Sequence, residues 1–69
     1  MQIVVKTDKI VDSLGTRYQL RVNKIFDNSI DSQLISTDTD ADRIQELAYN
    51  VFNSCINEYG IDNVFARTN

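Results

Sequence analysis

Residues 39–60, TDADRIQELAYNVFNSCINEYG, decide the fold, because their apolar side chains follow a different period from those before them. The apolar positions recur at intervals of three and four residues, the period of an amphipathic helix of about four to five turns. These positions are Ile44, Leu47, Ala48, Val51, Cys55, Ile56 and Tyr59. We therefore predict one long helix whose apolar face packs against the rest of the chain.

Both ends of this helix carry recognisable signals. Thr39 is the predicted N-cap, and Asp40 and Asp42 place negative charge at the positive end of the helix dipole. Gly60 is the predicted first residue past the helix, because glycine adopts the backbone conformations that end helices. Ile61 is expected to supply the apolar contact that often accompanies such an end.

The residues before the helix alternate in the manner of half-buried strands. Ile3 and Val5 share one face of a first strand, and DSLG at residues 12–15 predicts a turn. In the second strand one face carries Tyr18, Leu20 and Val22, and the other carries Arg17, Gln19, Arg21 and Asn23. The first part of the chain is therefore expected to be a β-hairpin.

The alternation ends close to residues 23–24, because Ile25 and Phe26 are adjacent and both apolar. This predicts a bulge at that point or the end of the strand. Residues 27–29 predict a loop, and a short third strand is expected around residues 33–36.

The tail, residues 62–69, is expected to form a short second helix or to dock loosely. The chain is thus predicted to be a single α+β domain over residues 1–69. Its expected architecture is a three-stranded antiparallel sheet with one amphipathic helix packed on a face, in the order β-β-β-α.

The residue inventory excludes most catalytic and metal chemistry. The chain has no His, no Pro and no Trp, and it has one Cys. It therefore has no imidazole base or ligand, and it cannot form an intrachain disulfide or a Cys metal cluster. Asp38, Asp40 and Asp42 match the start of a calcium loop, but Arg43 and Tyr49 stand where glycine and glutamate are required. We expect no enzyme activity, no metal and no cofactor.

The sequence also bears on the compartment. It contains no apolar run of the roughly 18 residues that a membrane helix needs. Residues 1–6 have neither the basic lead nor the long apolar region of a secretory signal. Because a single Cys suits a reducing compartment, we expect a cytoplasmic protein with no membrane partner.

Charge is divided unevenly along the chain. Residues 1–26 contain five cations and two acids, a net charge of +3, whereas residues 27–69 contain two cations and eight acids, a net charge of −6. Helix capping and solvation explain part of the acidic segment. A surface that binds a basic partner would account for the remaining acids of this segment. Tyr49 lies on the Asn-rich side of the helix, a composition that suits a protein interface. The predicted partner-binding residues are Asp27, Asp31, Asp38, Asp40, Asp42, Glu46, Tyr49, Glu58 and Asp62.

The basic segment raises the opposite possibility, a sheet that binds nucleic acid. Lys6, Arg17 and Arg21 are expected on the uncovered face of the sheet. Sheets that bind RNA also present stacking aromatic side chains on that face. Tyr18 is expected on the opposite, core-facing side, so direct binding of nucleic acid is not expected.

A pattern at the junction of the third strand and the helix resembles a known family. It comprises Leu34-Ile35-Ser36, the acidic stretch that follows, and Ile44, Glu46, Phe52, Asn57, Glu58 and Tyr59. The pattern resembles small, acidic, phage-encoded type II anti-CRISPR proteins, which inhibit Cas9 by covering the site for the DNA beside the target. The resemblance implies a phosphate-mimicking surface formed by Asp38, Asp40, Asp42, Glu46, Glu58 and Asp62. The family has a dense acidic run after the position of Tyr59, where this chain has only Asp62.

The expected function is that of a phage-type inhibitor. It would bind a nucleic-acid enzyme of the host bacterium, such as the CRISPR nuclease Cas9, through an acidic DNA-mimicking surface and block DNA binding. The alternative is a small homodimeric interaction module, or an antitoxin-like protein that neutralises a partner protein through an exposed sheet edge. A core of this size supplies only about 3–5 kcal/mol, which favours a protein that is stabilised by association.

Overall fold

The structure, a computed structural model, describes residues 1–68 as one sheet covered on one face by one long helix. Its elements are β1 (Gln2–Asp12), β2 (Gly15–Ile25), β3 (Ile30–Asp38), α1 (Ala41–Tyr59), a 3-10 helix (Ile61–Asn63) and β4 (Val64–Thr68). The strand order is β3-β2-β1-β4. The predicted α+β architecture with a helix packed on a sheet is confirmed.

The predicted sheet of three antiparallel strands is wrong, because the tail adds a fourth strand. β4 pairs in parallel with β1, with Val64 opposite Ile3 and Thr68 opposite Thr7, so the sheet is mixed. The long helix makes this possible, because α1 carries the chain from one edge of the sheet back to the other. The short second helix predicted for the tail is limited to the 3-10 helix, which ends at Asn63, and residues 64–68 are a paired strand that is not loosely docked. Asn69 lies outside the described residues.

β1 and β2 form the predicted hairpin. Leu14 N donates to Asp12 Oδ1 at 2.9 Å, and Gly15 has a φ of 116°, which side-chain-bearing residues rarely adopt. Arg17 Nη1 donates to Asp12 Oδ2 at 2.6 Å. The hydrogen bond from Arg17, followed by that from the Leu14 backbone, lowers the pKa of Asp12. The Asp12 side chain therefore holds the predicted turn at residues 12–15 through Leu14 and links it to Arg17 in β2.

Of the two alternatives predicted near residues 23–24, the strand end is confirmed, because β2 ends at Ile25, and the bulge is wrong at that point. β2 pairs with β3 without interruption from Asn23 to its end at Ile25. The register shifts between Leu20, which pairs with Ser36, and Arg21, which pairs with Leu34. The extra residue is therefore Ile35 of β3, and such a bulge locally increases strand twist.

Asp40, and not Thr39, caps the start of α1. Asp40 Oδ1 accepts hydrogen bonds from the backbone N–H groups of Asp42 at 2.9 Å and Arg43 at 3.4 Å. The preceding turn is held in the same way, because Asp38 Oδ1 accepts from Asp40 N at 2.9 Å. Thr39 lies between these two aspartates, so the predicted cap is displaced by one residue.

The helix ends at Gly60, as predicted. Gly60 has a φ of 91°, and its N–H donates to the Ile56 carbonyl at 2.8 Å. Ile61 is 70% exposed, so the apolar contact predicted for it is wrong. The chain turns instead through the 3-10 helix, where the Asn63 side chain donates to the Tyr59 carbonyl at 2.8 Å.

The core lies between the sheet and the predicted apolar face of α1. Its buried apolar side chains are Ile3, Val5, Leu20, Val22, Ile44, Cys55 and Val64. Thr7 is a buried polar residue, and its hydroxyl lies 3.2 Å from that of Thr68 and donates to the Arg67 carbonyl at 3.5 Å. Thr7 therefore ties β4 to β1 at the end away from Val64.

Replacing Asp40 with alanine is expected to destabilise the protein by about 1 kcal/mol, because two helical N–H groups lose their acceptor. The midpoint of urea denaturation, followed by circular dichroism, measures the change. Thr39→Ala is the matched control, since Thr39 does not cap the helix. An equal loss in both variants would contradict the assignment of Asp40 as the cap.

Candidate protein-binding surface

The nine residues predicted to bind a partner fall into two groups at opposite ends of α1. The first, termed the N-terminal acidic surface, follows the end of β3 into the first half of the helix. It consists of Asp38, Asp40, Asp42, Glu46 and Tyr49. The second, termed the C-terminal acidic group, consists of Asp27, Asp31, Glu58 and Asp62. The two ends of a 19-residue helix lie about 28 Å apart, so the structure does not bring all nine residues together.

Within the N-terminal acidic surface, Asp38 and Asp40 have structural roles. Both accept backbone hydrogen bonds at the helix start, and Asp40 Oδ2 also lies 3.7 Å from Arg43 Nε. A helix-capping role explains these two acids without any partner. Their presence alone therefore carries little functional information.

Asp42, Glu46 and Tyr49 are different. Their side chains are exposed and make no hydrogen bond or ion pair with any other residue of the described chain 1–68. They follow one another at intervals of four and three residues, so they are neighbours on one side of α1, with Cβ atoms about 5–6 Å apart. Tyr49 is 68% exposed, a large fraction for an aromatic side chain. Asp42 lies in the first turn of α1, where its charge favours the helix dipole, whereas nothing in the fold of residues 1–68 explains Glu46 or Tyr49.

Two members of the C-terminal acidic group, Asp31 and Glu58, lie near Lys24, a cation whose role was not predicted from the sequence. Lys24 Nζ lies 5.6 Å from the centre of the Tyr59 ring. Tyr59 is the main cause of a raised pKa of Lys24, and the charges of Glu58 and Asp31 add to it. Asp31 also pairs directly with Lys24 across the β2–β3 ladder. Lys24 thus offsets part of the negative charge at this end of the helix.

The hollows beside α1 are small for a ligand. One of about 180 Å³ lies between the helix and β4 beside Phe52, and another of about 230 Å³ lies beside Tyr18 and Ile44. Typical ligand pockets have volumes of about 300–1,000 Å³. A wider depression next to Met1 and Phe26 contains one carboxylate, Asp27. The hollow beside Tyr18 and Ile44 is also lined by Asp8 and Lys9, but its volume is below that of a typical ligand pocket.

Cys55 has the environment of a structural thiol. It belongs to the buried core, and desolvation is the main cause of a raised pKa, with a contribution from Glu58. A raised pKa lowers the fraction of reactive thiolate at neutral pH. Among residues 1–68, no group of three His, Cys, Asp or Glu side chains is arranged to hold a metal ion.

The charges divide between the two sides of the sheet. We term the face that α1 leaves uncovered the open face; the pairing registers and the alternation of each strand place on it two acids, Asp8 and Asp12. Its cations are Lys6, Arg17, Arg21 and Arg67. The other eight acids lie on the helix-bearing side or on its loops, together with three cations. Arg67 could have been placed on the open face from the sequence only if β4 had been predicted.

Comparisons with protein-family models, with curated proteins and with solved structures find no match to this chain. Within residues 1–68, no helix combines the length and the apolar content needed to cross a membrane.

Proposed function

We propose that the protein is a phage-type inhibitor that binds a nucleic-acid enzyme of a host bacterium, in the host cytoplasm, and blocks its binding to DNA. The contact would be made by the N-terminal acidic surface. One observation carries this proposal: Asp42, Glu46 and Tyr49 form an exposed strip without structural partners on the acidic side of the molecule.

The chemistry of this strip suits a basic protein groove. Enzymes that bind nucleic acids line their grooves with cations that meet phosphates. Carboxylates on a rigid helix present negative charge in a fixed arrangement, which favours rapid and selective encounter with such a groove. Tyrosine is enriched among the residues that dominate interface energies, so Tyr49 is the expected anchor beside the two acids. The resemblance to type II anti-CRISPR proteins favours Cas9 as the first enzyme to test.

Reversing the charge of Asp42 and Glu46 together is expected to weaken binding to the target at least tenfold, because like charges would then face each other. Binding of the purified protein to Cas9 loaded with guide RNA, and the loss of DNA binding by that complex, are the measurements. The wild-type affinity is expected to fall as the salt concentration rises.

Asp27→Lys with Asp62→Lys is the matched control, since it makes the same charge change at the other end of α1. Equal weakening by both double variants would show that net charge matters and that the strip does not. Wild-type protein that binds neither Cas9 nor any other nucleic-acid enzyme retained from a bacterial lysate would contradict the proposal.

A second candidate function is the homodimeric or antitoxin-like module, and one observation favours it. β3 is an edge strand of nine residues without Lys, Arg or Pro, and its protection is limited to Asp31, Asp38 and the bulge at Ile35. Ile30 and Leu34 on this strand are 70% and 47% exposed. Light scattering over a dilution series tests the homodimer, and a monomer at the highest concentration would remove it.

A further inference from the structure

We infer that the open face binds single-stranded nucleic acid, with the arginines of β2 and β4 on phosphates and Phe65 stacked against a base. This inference goes beyond the proposed function, because it concerns the opposite side of the molecule and other residues. It depends on β4, which adds both a cation and an aromatic side chain to this face.

Three cations form a row across the open face. Lys6 pairs with Arg21 of β2 on one side and with Arg67 of β4 on the other. Neighbouring strands lie about 4.8 Å apart, so the row extends over about 10 Å. Like charges in directly opposed positions destabilise a sheet. The row is therefore not explained by the stability of the fold.

The two arginines of this row are available to a ligand. Lys6 Nζ lies 3.8 Å from Asp8 Oδ1, and Arg17 forms a hydrogen-bonded ion pair with Asp12. These two cations therefore already have acidic partners. Neither Arg21 nor Arg67 has an ion pair within residues 1–68. A guanidinium group binds a phosphate through two parallel hydrogen bonds, which suits both side chains to this ligand.

Phe65 supplies the stacking surface that the sequence analysis found missing. It lies opposite Val4 on the open face, two residues before Arg67 on the same side of β4, and is 46% exposed. Tyr18 of β2 packs against the core, as predicted, so it does not provide this surface. Aromatic side chains beside cations are the common platform for single-stranded nucleic acid.

Charge complementarity selects an anionic ligand over a second copy of the chain. Packing two open faces together would bring Lys6, Arg21 and Arg67 of each copy close to those of the other. Like charges that face each other across an interface oppose association. A single-stranded nucleic acid provides phosphates for the arginines and a flat base for Phe65, whereas an acidic protein provides only the negative charge.

The acidic side of the molecule does not prevent this binding at physiological salt. The molecule measures 15 Å along its shortest axis, and the Debye length at about 0.15 M salt is about 8 Å. The acids beyond the sheet are therefore largely screened from a ligand on the open face. At about 0.01 M salt the Debye length is about 30 Å, so the ligand also experiences the acids on the other side of the molecule. The net charge of −3 is therefore expected to reduce the increase in affinity that lowering the salt concentration otherwise produces.

Fluorescence anisotropy with a labelled, mixed-sequence single-stranded RNA, and with the DNA of the same sequence, tests the inference. Arg21→Ala with Arg67→Ala is expected to weaken binding at least tenfold near 0.1 M salt. Phe65→Ala is expected to weaken it about tenfold through the loss of stacking. Arg43→Ala and Tyr49→Ala remove a cation and an aromatic ring from the helix side and are expected to leave the affinity unchanged.

Four outcomes would overturn the inference. The first two are that the protein binds neither the RNA nor the DNA, and that the helix-side variants weaken binding as much as the open-face variants do. The third is that Phe65→Ala binds with unchanged affinity. The fourth is that polyglutamate displaces the labelled strand as effectively as unlabelled RNA does. The last would assign the open face to an acidic protein. Reversal of Asp42 and Glu46 is expected to leave this binding intact, so failure here and failure of the proposed inhibitor function can be told apart.

Discussion

Replacing Ile44 with alanine is expected to unfold most of the protein at room temperature. Ile44 is 2% exposed and lies between α1 and the sheet. An Ile→Ala change in a core costs about 2–5 kcal/mol, through lost burial and the cavity left behind. A core of this size provides about 3–5 kcal/mol of net stability. The expected loss is therefore comparable to the whole free energy of unfolding.

Urea denaturation followed by circular dichroism measures this change. Ile61→Ala is the matched control, because it makes the same chemical change at a residue that is 70% exposed. The free energy of unfolding of the control is expected to lie within about 0.5 kcal/mol of the wild-type value. If Ile44→Ala unfolded at the wild-type midpoint, α1 would not be packed on the sheet through this face.

Replacing Val64 with aspartate is expected to prevent stable folding. Val64 is 4% exposed and pairs with Ile3, which is fully buried. A carboxylate at this position would have to lose its water without gaining a cation partner, which costs several kcal/mol. The signal of α1 in circular dichroism and the dispersion of the amide resonances are the measurements.

Phe65→Asp separates this effect from a general intolerance of charge in the tail. The two positions are adjacent in the chain but lie on opposite faces of β4, and Phe65 is 46% exposed. Phe65→Asp is expected to remain folded. Equal tolerance of aspartate at both positions would mean that β4 does not pair with β1 in this register.

The two proposed surfaces use opposite sides of one small sheet. The strip of Asp42, Glu46 and Tyr49 is anionic, and the row of Lys6, Arg21 and Arg67 is cationic. Because the two surfaces share no residue, each can be tested separately by mutation. Both sets of substitutions lie at the surface of the protein, where effects on stability are usually small.

The helix and the first hairpin were predictable from the sequence because their signals are local. The apolar face containing Ile44 and Cys55 follows the helical period, and the structure buries that face. The end of α1 at Gly60 was also predictable, since a positive φ favours glycine. The cap was misplaced by one residue, because Thr39 and Asp40 are both good N-caps and only the backbone path decides between them.

β4 was not predictable in the same way. Val64–Thr68 is five residues long, and so short a segment gives a weak period-two signal. Its strand conformation depends on the free edge of β1, which is 60 residues away along the chain and becomes a neighbour only after α1 has crossed the sheet. The hydrogen bond from Thr7 to the Arg67 carbonyl joins these distant segments.

The sequence by itself therefore determined the α+β class, the helix, the hairpin, and the absence of imidazole chemistry and of an intrachain disulfide. The tertiary structure alone decided three further features. They are the mixed four-stranded sheet, the separation of the nine predicted binding residues into two groups, and the placement of Phe65 and Arg67 on the same face of the sheet as Lys6 and Arg21. Each of the three depends on contacts between segments far apart in the chain, and local periodicity carries no information about such contacts.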